Sequence, residues 1–182
     1  MTTIDLTKKR DSSTRTTFDE TYMLSAFAIA SRSADPSTQV GACYVSEDNK
    51  LLSVGCNQVP NNWDEDVYPW LDKNTYIIHA EMSALGNYQG SVKDFKNGTI
   101  YVTLFPCLNC AKLIANLGVK RVVYKDARIE FDEYKKACNL FDNCNIEYVK
   151  FECLSKIETL EYDMKQDEKN TIKIRKKSLT NI

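Results

Sequence analysis

The 182-residue sequence contains a single histidine, four prolines and six glycines. Nowhere does it offer the roughly 18 to 20 consecutive apolar residues that a membrane-spanning helix needs. Histidine-rich metal sites are excluded by that one imidazole, and collagen-like or low-complexity character by the scarcity of glycine and proline. Met1-Thr2-Thr3-Ile4-Asp5 has no apolar stretch behind a basic start, so no secretory signal is expected and the cytoplasm is the expected location. An even cysteine count is lacking too: there are seven. They cannot all pair within one chain, and a chain of this length needs no disulfide staples, so reduced thiols are expected.

There is apolar material for a sizeable core, with 43% hydrophobic residues. Charge is unevenly spread. The formal total of −1 divides into +2 over residues 1–17, +4 over residues 165–182 and −7 between them. An acidic body is the wrong surface for nucleic acid, whose binders present a basic face. It does not forbid a small pocket for one phosphate. The basic stretch Lys173-Ile174-Arg175-Lys176-Lys177 matches a nuclear-import patch in composition, but a solvated, disordered end is the simpler expectation.

Residues 1–17, rich in Thr, Ser, Lys and Arg, are expected to be a mobile tail. Thr17-Phe18-Asp19-Glu20 fits a capping box opening a helix over 18–32. Val40–Val45 and Leu51–Val54 are short apolar runs around the polar turn Glu47-Asp48-Asn49-Lys50, which predicts a hairpin. Residues 57–77, with Pro60, Trp63, Pro69 and Trp70, form a long loop; such loops in compact domains are usually functional. The two tryptophans are expected to pack this loop against a neighbouring subunit rather than stack on a base.

A helix should start near His79, a strand cover Thr99–Leu104, and a helix run over Cys107–Leu117 with Gly118 as its terminator. A strand at Val119–Lys125, a helix at Phe131–Phe141 and a strand at Ile146–Phe151 complete the pattern. The predicted class is α/β, a three-layer α/β/α sandwich around a five-stranded mixed sheet. The domain should cover residues 18–151. Residues 152–182 are expected to form a charged helix, through Leu154, Ile157, Leu160 and Met164, and a tail.

The chemistry concentrates in His79-Ala80-Glu81 and Pro106-Cys107-Leu108-Asn109-Cys110. Catalytic zinc takes three protein ligands and leaves one position open for water. His79, Cys107 and Cys110 supply three, and two cysteines three apart at a helix start can face one point. Glu81 is left over as a carboxylate beside the metal, suited to moving a proton. A lone C-x-x-C also suits a redox pair, or half of a structural zinc site completed by other cysteines. The redox reading leaves His79 without a role and the structural reading leaves Glu81 without one. H-x-E followed by P-C-x-x-C is the signature of zinc deaminases.

From about Tyr22 to Phe151 the sequence resembles the deoxycytidylate (dCMP) deaminase family. The resemblance rests on Asp35-Pro36-Ser37-Thr38-Gln39-Val40-Gly41-Ala42, Gly55-Cys56-Asn57-Gln58-Val59-Pro60, Asp66-Val67-Tyr68-Pro69-Trp70, and the residues flanking both cysteines. It implies a cytidine deaminase-like fold and zinc-dependent hydrolysis of dCMP to dUMP. Water activated at the metal attacks C4, and Glu81 protonates N3 and then the leaving ammonia. The Ala80 backbone N–H holds the ring O2, and the Asn57 side chain binds the sugar. Hexameric assembly is implied as well, with activation by dCTP and inhibition by dTTP, Mg²⁺ accompanying the nucleotide effector.

Several positions depart from the family pattern. Cys56 and Gln58 replace the usual Tyr and Gly around Asn57. Ser37-Thr38-Gln39 stands where a basic residue is usual. Asp126–Glu130 is about one residue short and lacks the family's tyrosine. Arg128 falls in the right segment to meet a phosphate, with Ser37 and Thr38 as weaker helpers. The alternatives are a deaminase of dCTP or another cytosine nucleotide or nucleoside, and a non-catalytic relative that binds nucleotide.

Overall fold

The computed structural model describes residues 15–152, together with the backbone of 160–163 and 173–176. The chain divides into two units, Met1–Phe151 and Glu152–Ile182. The first contains, in chain order, α1 (Phe18–Ala30), β1 (Gly41–Val45), β2 (Leu51–Cys56), α2 (Lys73–Tyr76), α3 (Ala80–Gly86), β3 (Thr99–Leu104), α4 (Leu108–Asn116), β4 (Arg121–Asp126), α5 (Asp132–Asn143) and β5 (Glu147–Lys150).

The sheet order is β2-β1-β3-β4-β5. β1 runs antiparallel to both β2 and β3, whereas β3, β4 and β5 are mutually parallel. The mixed sheet follows from the connections. The short polar connection 46–50 permits an antiparallel hairpin, while parallel neighbours need a helical crossover, which α4 and α5 provide. Gly118, at φ +73°, turns the chain between α4 and β4 in the left-handed region that glycine tolerates.

Strand alternation divides the core in two. Ala42, Tyr44, Ile100, Val102, Val122 and Tyr124 face α3, α4 and α5. Cys43, Val45, Tyr101 and Val123 face Tyr22, Met23 and Ala26 of α1. All five residues of β1 are buried, as a strand covered on both faces must be. This is the expected three-layer sandwich.

α1 starts with the capping box read from the sequence: the Glu20 N–H donates to Thr17 Oγ1 at 3.1 Å, and the Thr17 N–H donates to the Glu20 carboxylate at 2.8 Å. One residue earlier, Asp19 ties the helix to the sheet. It accepts from Arg121 Nη1 and Nη2 at 2.8 and 2.9 Å, and from the Tyr101 hydroxyl at 2.7 Å. The Arg121 hydrogen bonds hold the Asp19 carboxyl below its usual range against the opposing effect of burial. A lowered native value means a contribution present above the ordinary carboxylate range and lost as pH falls through the native value. Asp19→Asn should therefore cost about 1 kcal/mol at pH 7, a modest figure because the pair stands partly open to solvent. Urea midpoints at pH 7 and at acid pH test this: the gap to wild type should close on acidification, and an unchanged gap contradicts it.

The expected loop 57–77 carries short 3-10 turns at Glu65–Val67 and Trp70–Asp72 before α2. Trp63 and Trp70 pack on neighbours in the same loop, Trp63 with Tyr68 and Tyr76 and Trp70 with Tyr68, at centroid distances of 4.7 to 5.3 Å. The six cysteines among the described residues are all free thiols. No helix among the described residues is long and apolar enough to cross a membrane.

The second unit differs from the expectation of a charged helix and disordered end. Leu160–Asp163 is a strand paired antiparallel with Lys173–Lys176. Leu160 and Tyr162 alternate with Glu161 and Asp163, a period of two that the longer apolar spacing obscured. The register sets Glu161 opposite Arg175 and Asp163 opposite Lys173. Residues 1–14 of the expected N-terminal tail, and Leu154, Ile157 and Met164, lie outside the described residues.

Candidate active site

The site forms where two helices begin. His79 is the N-cap of α3 and Cys107 the N-cap of α4; both have extended backbone and neither uses its side chain to cap. Each side chain is thus left available. Cys110 lies in the first turn of α4, fully buried, where the positive end of the helix favours thiolate. The approach of α3 to the sheet depends on Gly55 of β2, where a Cβ would stand 2.2 Å from the Ala84 nitrogen.

The three candidate ligand atoms lie within 4.8 Å of one another. His79 Nδ1 is 3.4 Å from Cys107 Sγ and 3.5 Å from Cys110 Sγ. Ordinary zinc–nitrogen and zinc–sulfur bond lengths at tetrahedral angles place such atoms about 3.6 Å apart. The donor set and its spacing therefore fit Zn²⁺, with one coordination position left open. Hydrogen bonding from the Cys110 thiol, supported by His79, brings Cys107 down to about 4. Cys110 is pushed up, first by that same hydrogen bond and then by burial. The Cys107 contact also raises His79.

Glu81 is buried at 3% exposure. Burial raises its carboxyl, with the charge of His79 opposing the shift. A carboxyl made more basic beside a metal-ligand set is suited to accept and return a proton. Ala80 sits between them, and its N–H, in the first turn of α3, has no acceptor within the helix.

Most of these residues stand on the wall of a cavity of about 660 Å³. His79, Ala80, Glu81 and Cys107 line it; Asn57, Ser37, Thr38 and Arg128 line it as well. All of the expected substrate contacts are thus brought to one cavity. Arg128 Nη2 donates to Thr38 Oγ1 at 3.3 Å, bringing two of the expected phosphate groups together. Phe131 and Tyr134 also face the cavity, near where the family's tyrosine is missing from the sequence.

Asn57 is more committed than the sequence indicates. Its Oδ1 accepts from the Val40 N–H at 2.8 Å, and its Nδ2 donates to Asp35 Oδ2 at 3.1 Å and to the Thr38 carbonyl at 2.9 Å. Both N–H donors are spent, so toward a ligand Asn57 offers only the second lone pair of Oδ1. Gln58, next to it, needs none of glycine's conformational freedom. It forms a two-way backbone bridge with Ile78, at 3.0 and 2.9 Å, and its side chain accepts from Ser83 Oγ at 3.1 Å. That bridge closes the base of the long loop and fixes Asn57 beside His79.

Two residues were not legible as site residues. Asp35 is 3% exposed and accepts from the N–H groups of Ser37 and Thr38 at 2.8 and 3.1 Å. Lys73, at the start of α2, pairs with it. The one available signal was that Lys73 is the sole cationic residue between 57 and 78.

The sequence profile of the family described as the cytidine and deoxycytidylate deaminase zinc-binding region matches residues 16–126. The chain belongs to this deaminase family. Relatives of known name agree. The chain is 40% identical over 153 residues to deoxycytidylate deaminase of Homo sapiens, covering 79% of this chain and 84% of that one. It is 34% identical over 160 residues to the probable deoxycytidylate deaminase of Drosophila melanogaster, covering 80% and 78%. Among solved structures, the apo dCMP deaminase of cyanophage S-TIM5 superposes with a TM-score of 0.60 at 25% identity, covering 73% of this chain and 96% of that one. The same enzyme in complex with dCMP and dUMP gives a TM-score of 0.58 at 25% identity, covering 72% and 95%. Family membership removes the redox reading of Cys107 and Cys110, and the cavity at the ligand set removes the closed structural zinc site.

Proposed function

We propose that this chain hydrolyses dCMP to dUMP and ammonia. The observation that carries this reading is one cavity whose wall carries His79, Cys107 and Glu81 together with Ser37, Thr38 and Arg128. Its size suits a mononucleotide. The human relative and the cyanophage enzyme, named for this reaction, support the same substrate.

Zinc held by His79, Cys107 and Cys110 supplies the Lewis acidity that makes water a nucleophile at neutral pH. The chain's own residues place the base and move protons. The Ala80 N–H donates to the ring O2, and Asn57 Oδ1 accepts from a sugar hydroxyl. Glu81 takes a proton from water and delivers it to N3, which makes C4 electrophilic. It then takes the second proton of the added oxygen and gives it to the departing amine. The C4–N bond breaks, the C4 carbonyl forms, and Glu81 ends as it began. Arg128, Ser37 and Thr38 meet the 5′-phosphate.

Other properties travel with the family reading: a hexamer, activation by dCTP and inhibition by dTTP with Mg²⁺ on the effector, and a cytoplasmic location. Sedimentation should then give six chains of 20.8 kDa.

Ammonia release from dCMP, dCTP, deoxycytidine and cytidine, assayed side by side, tests the substrate. Preferred turnover of dCMP is expected. Turnover of dCTP alone would move the assignment to the triphosphate, and release from none of the four would point to a non-catalytic nucleotide-binding relative.

A further inference from the structure

Lys73 Nζ contacts both carboxylate oxygens of Asp35 and the Ser37 hydroxyl, the latter at 2.6 Å. Its side chain is only 17% exposed, so most of it is held within the protein. Across the same turn, Arg128 reaches Thr38 Oγ1, and the Ser37 and Thr38 hydroxyls stand 3.5 Å apart. One edge of the cavity therefore presents two cations flanking two adjacent hydroxyls.

The acidic residues on the cavity wall are Asp35, Glu81 and Glu133. Glu81 lies two residues beyond His79, and Asp35 is the one that Lys73 touches. Burial favours the neutral form of Asp35, but the hydrogen bonds from Lys73 and the Ser37 and Thr38 N–H groups outweigh this and hold it ionised. With those N–H donors and Asn57 Nδ2 also on Asp35, Lys73 can share its charge without leaving a bare carboxylate.

We propose that Lys73 is the residue that makes this site select a phosphorylated substrate, binding the 5′-phosphate together with Ser37, Thr38 and Arg128. This rests on the reading of the chain as a dCMP deaminase. The basic residue usual in the 37–39 segment is absent; the cation comes instead from a loop 36 residues further along the chain and folds back onto Ser37. One of the three ammonium donors is spent on a neutral hydroxyl. A phosphate dianion accepts more strongly than a hydroxyl, so it displaces that contact. The Ser37 hydroxyl, which otherwise donates to Asp35 Oδ1 at 3.2 Å, then turns its proton to the phosphate. Asp35 keeps Lys73 extended and in place before the ligand arrives, which lowers the ordering cost of binding.

The test compares wild type, Lys73→Gln and Lys73→Arg, each zinc-loaded and checked for thermal stability, on dCMP and on deoxycytidine. Losing a hydrogen bond to an ionised group predicts a fall in kcat/KM for dCMP of about thirtyfold to a hundredfold in Lys73→Gln, mostly through KM. Deoxycytidine should change less than about twofold, and Lys73→Arg should recover most of the loss. A purely structural pin on the loop predicts equal losses on both substrates, and that result, or no loss on dCMP, overturns the proposal.

A second measurement uses the wild type alone and does not depend on a variant folding. Acetylation of Lys73, mapped by mass spectrometry, should be suppressed by saturating dUMP and unaffected by deoxyuridine. Equal labelling with and without dUMP overturns the proposal. If wild type forms no dUMP from dCMP, the functional reading itself fails; if it does and the phosphate-dependent split is missing, only the role of Lys73 fails.

Discussion

Replacing Glu81 by Gln lowers kcat/KM for dCMP by about ten-thousand-fold, the upper end of what positioned acid–base groups contribute. The substitution keeps the volume and the hydrogen-bonding shape of a side chain that is 3% exposed, so the cavity is not disturbed. It removes only the ability to take up and release a proton. Both proton movements of the reaction pass through this one carboxylate, so no bypass remains short of bulk water, which the buried position excludes. Zinc content, read by atomic absorption, should stay at one per chain, because Glu81 is outside the ligand set. Retained turnover in Glu81→Gln would remove the proton shuttle from the mechanism. Lost turnover with lost zinc would recast Glu81 as a ligand.

Cys110→Ser has the second large effect, and through a different quantity. Cys110 is fully buried and its sulfur lies 3.5 Å from His79 Nδ1. Serine fits the space, but its hydroxyl is a poor ligand for zinc at neutral pH beside a thiolate and an imidazole. Bound zinc should fall from one per chain to a small fraction, and dCMP turnover should fall with it. Stability follows by linkage, since an ion that binds the folded chain stabilises it by an amount set by its concentration over its dissociation constant, about 2.7 kcal/mol at a hundredfold excess. Wild type should lose melting temperature on chelation, and Cys110→Ser should start low and lose nothing further. A variant that keeps its zinc, or a wild type indifferent to chelators, contradicts the assignment.

The parts of the site legible in the sequence are those whose chemistry restricts residue choice. Zinc accepts few ligand types, so His79, Cys107 and Cys110 stand out, and Glu81 stands out because no ligand role remains for it. One helix start was legible because Thr17 and Glu20 make a reciprocal cap, and one helix end because Gly118 accommodates a left-handed turn. The strands were legible because β1, β3 and β4 are apolar on both faces, as strands covered on both sides must be.

What sequence reasoning missed depends on contacts between distant segments. Nothing local announces that Lys73 meets Asp35, 38 residues away, because a lone loop lysine has the same sequence appearance when it is solvated. The commitment of both Asn57 N–H donors is likewise invisible, since it depends on where Asp35 and the Thr38 carbonyl arrive. The contacts of Trp63 and Trp70 with Tyr68 and Tyr76 are equally hidden, since they form only once the loop turns at Glu65–Val67 and Trp70–Asp72. The strand at Leu160–Asp163 was missed because four residues of alternation are a weaker signal than four apolar residues at helical spacing.

The central claim is that a zinc-fitting set of one imidazole and two thiols, with a buried carboxylate beside it, deaminates dCMP. The most direct measurement strips the purified chain of metal, confirms that it remains folded, and follows dCMP before and after addition of one equivalent of Zn²⁺. No product is expected before addition, and dUMP and ammonia in equal amounts after it. Product formation that is indifferent to the metal, or a folded, zinc-loaded chain that leaves dCMP untouched, would contradict it.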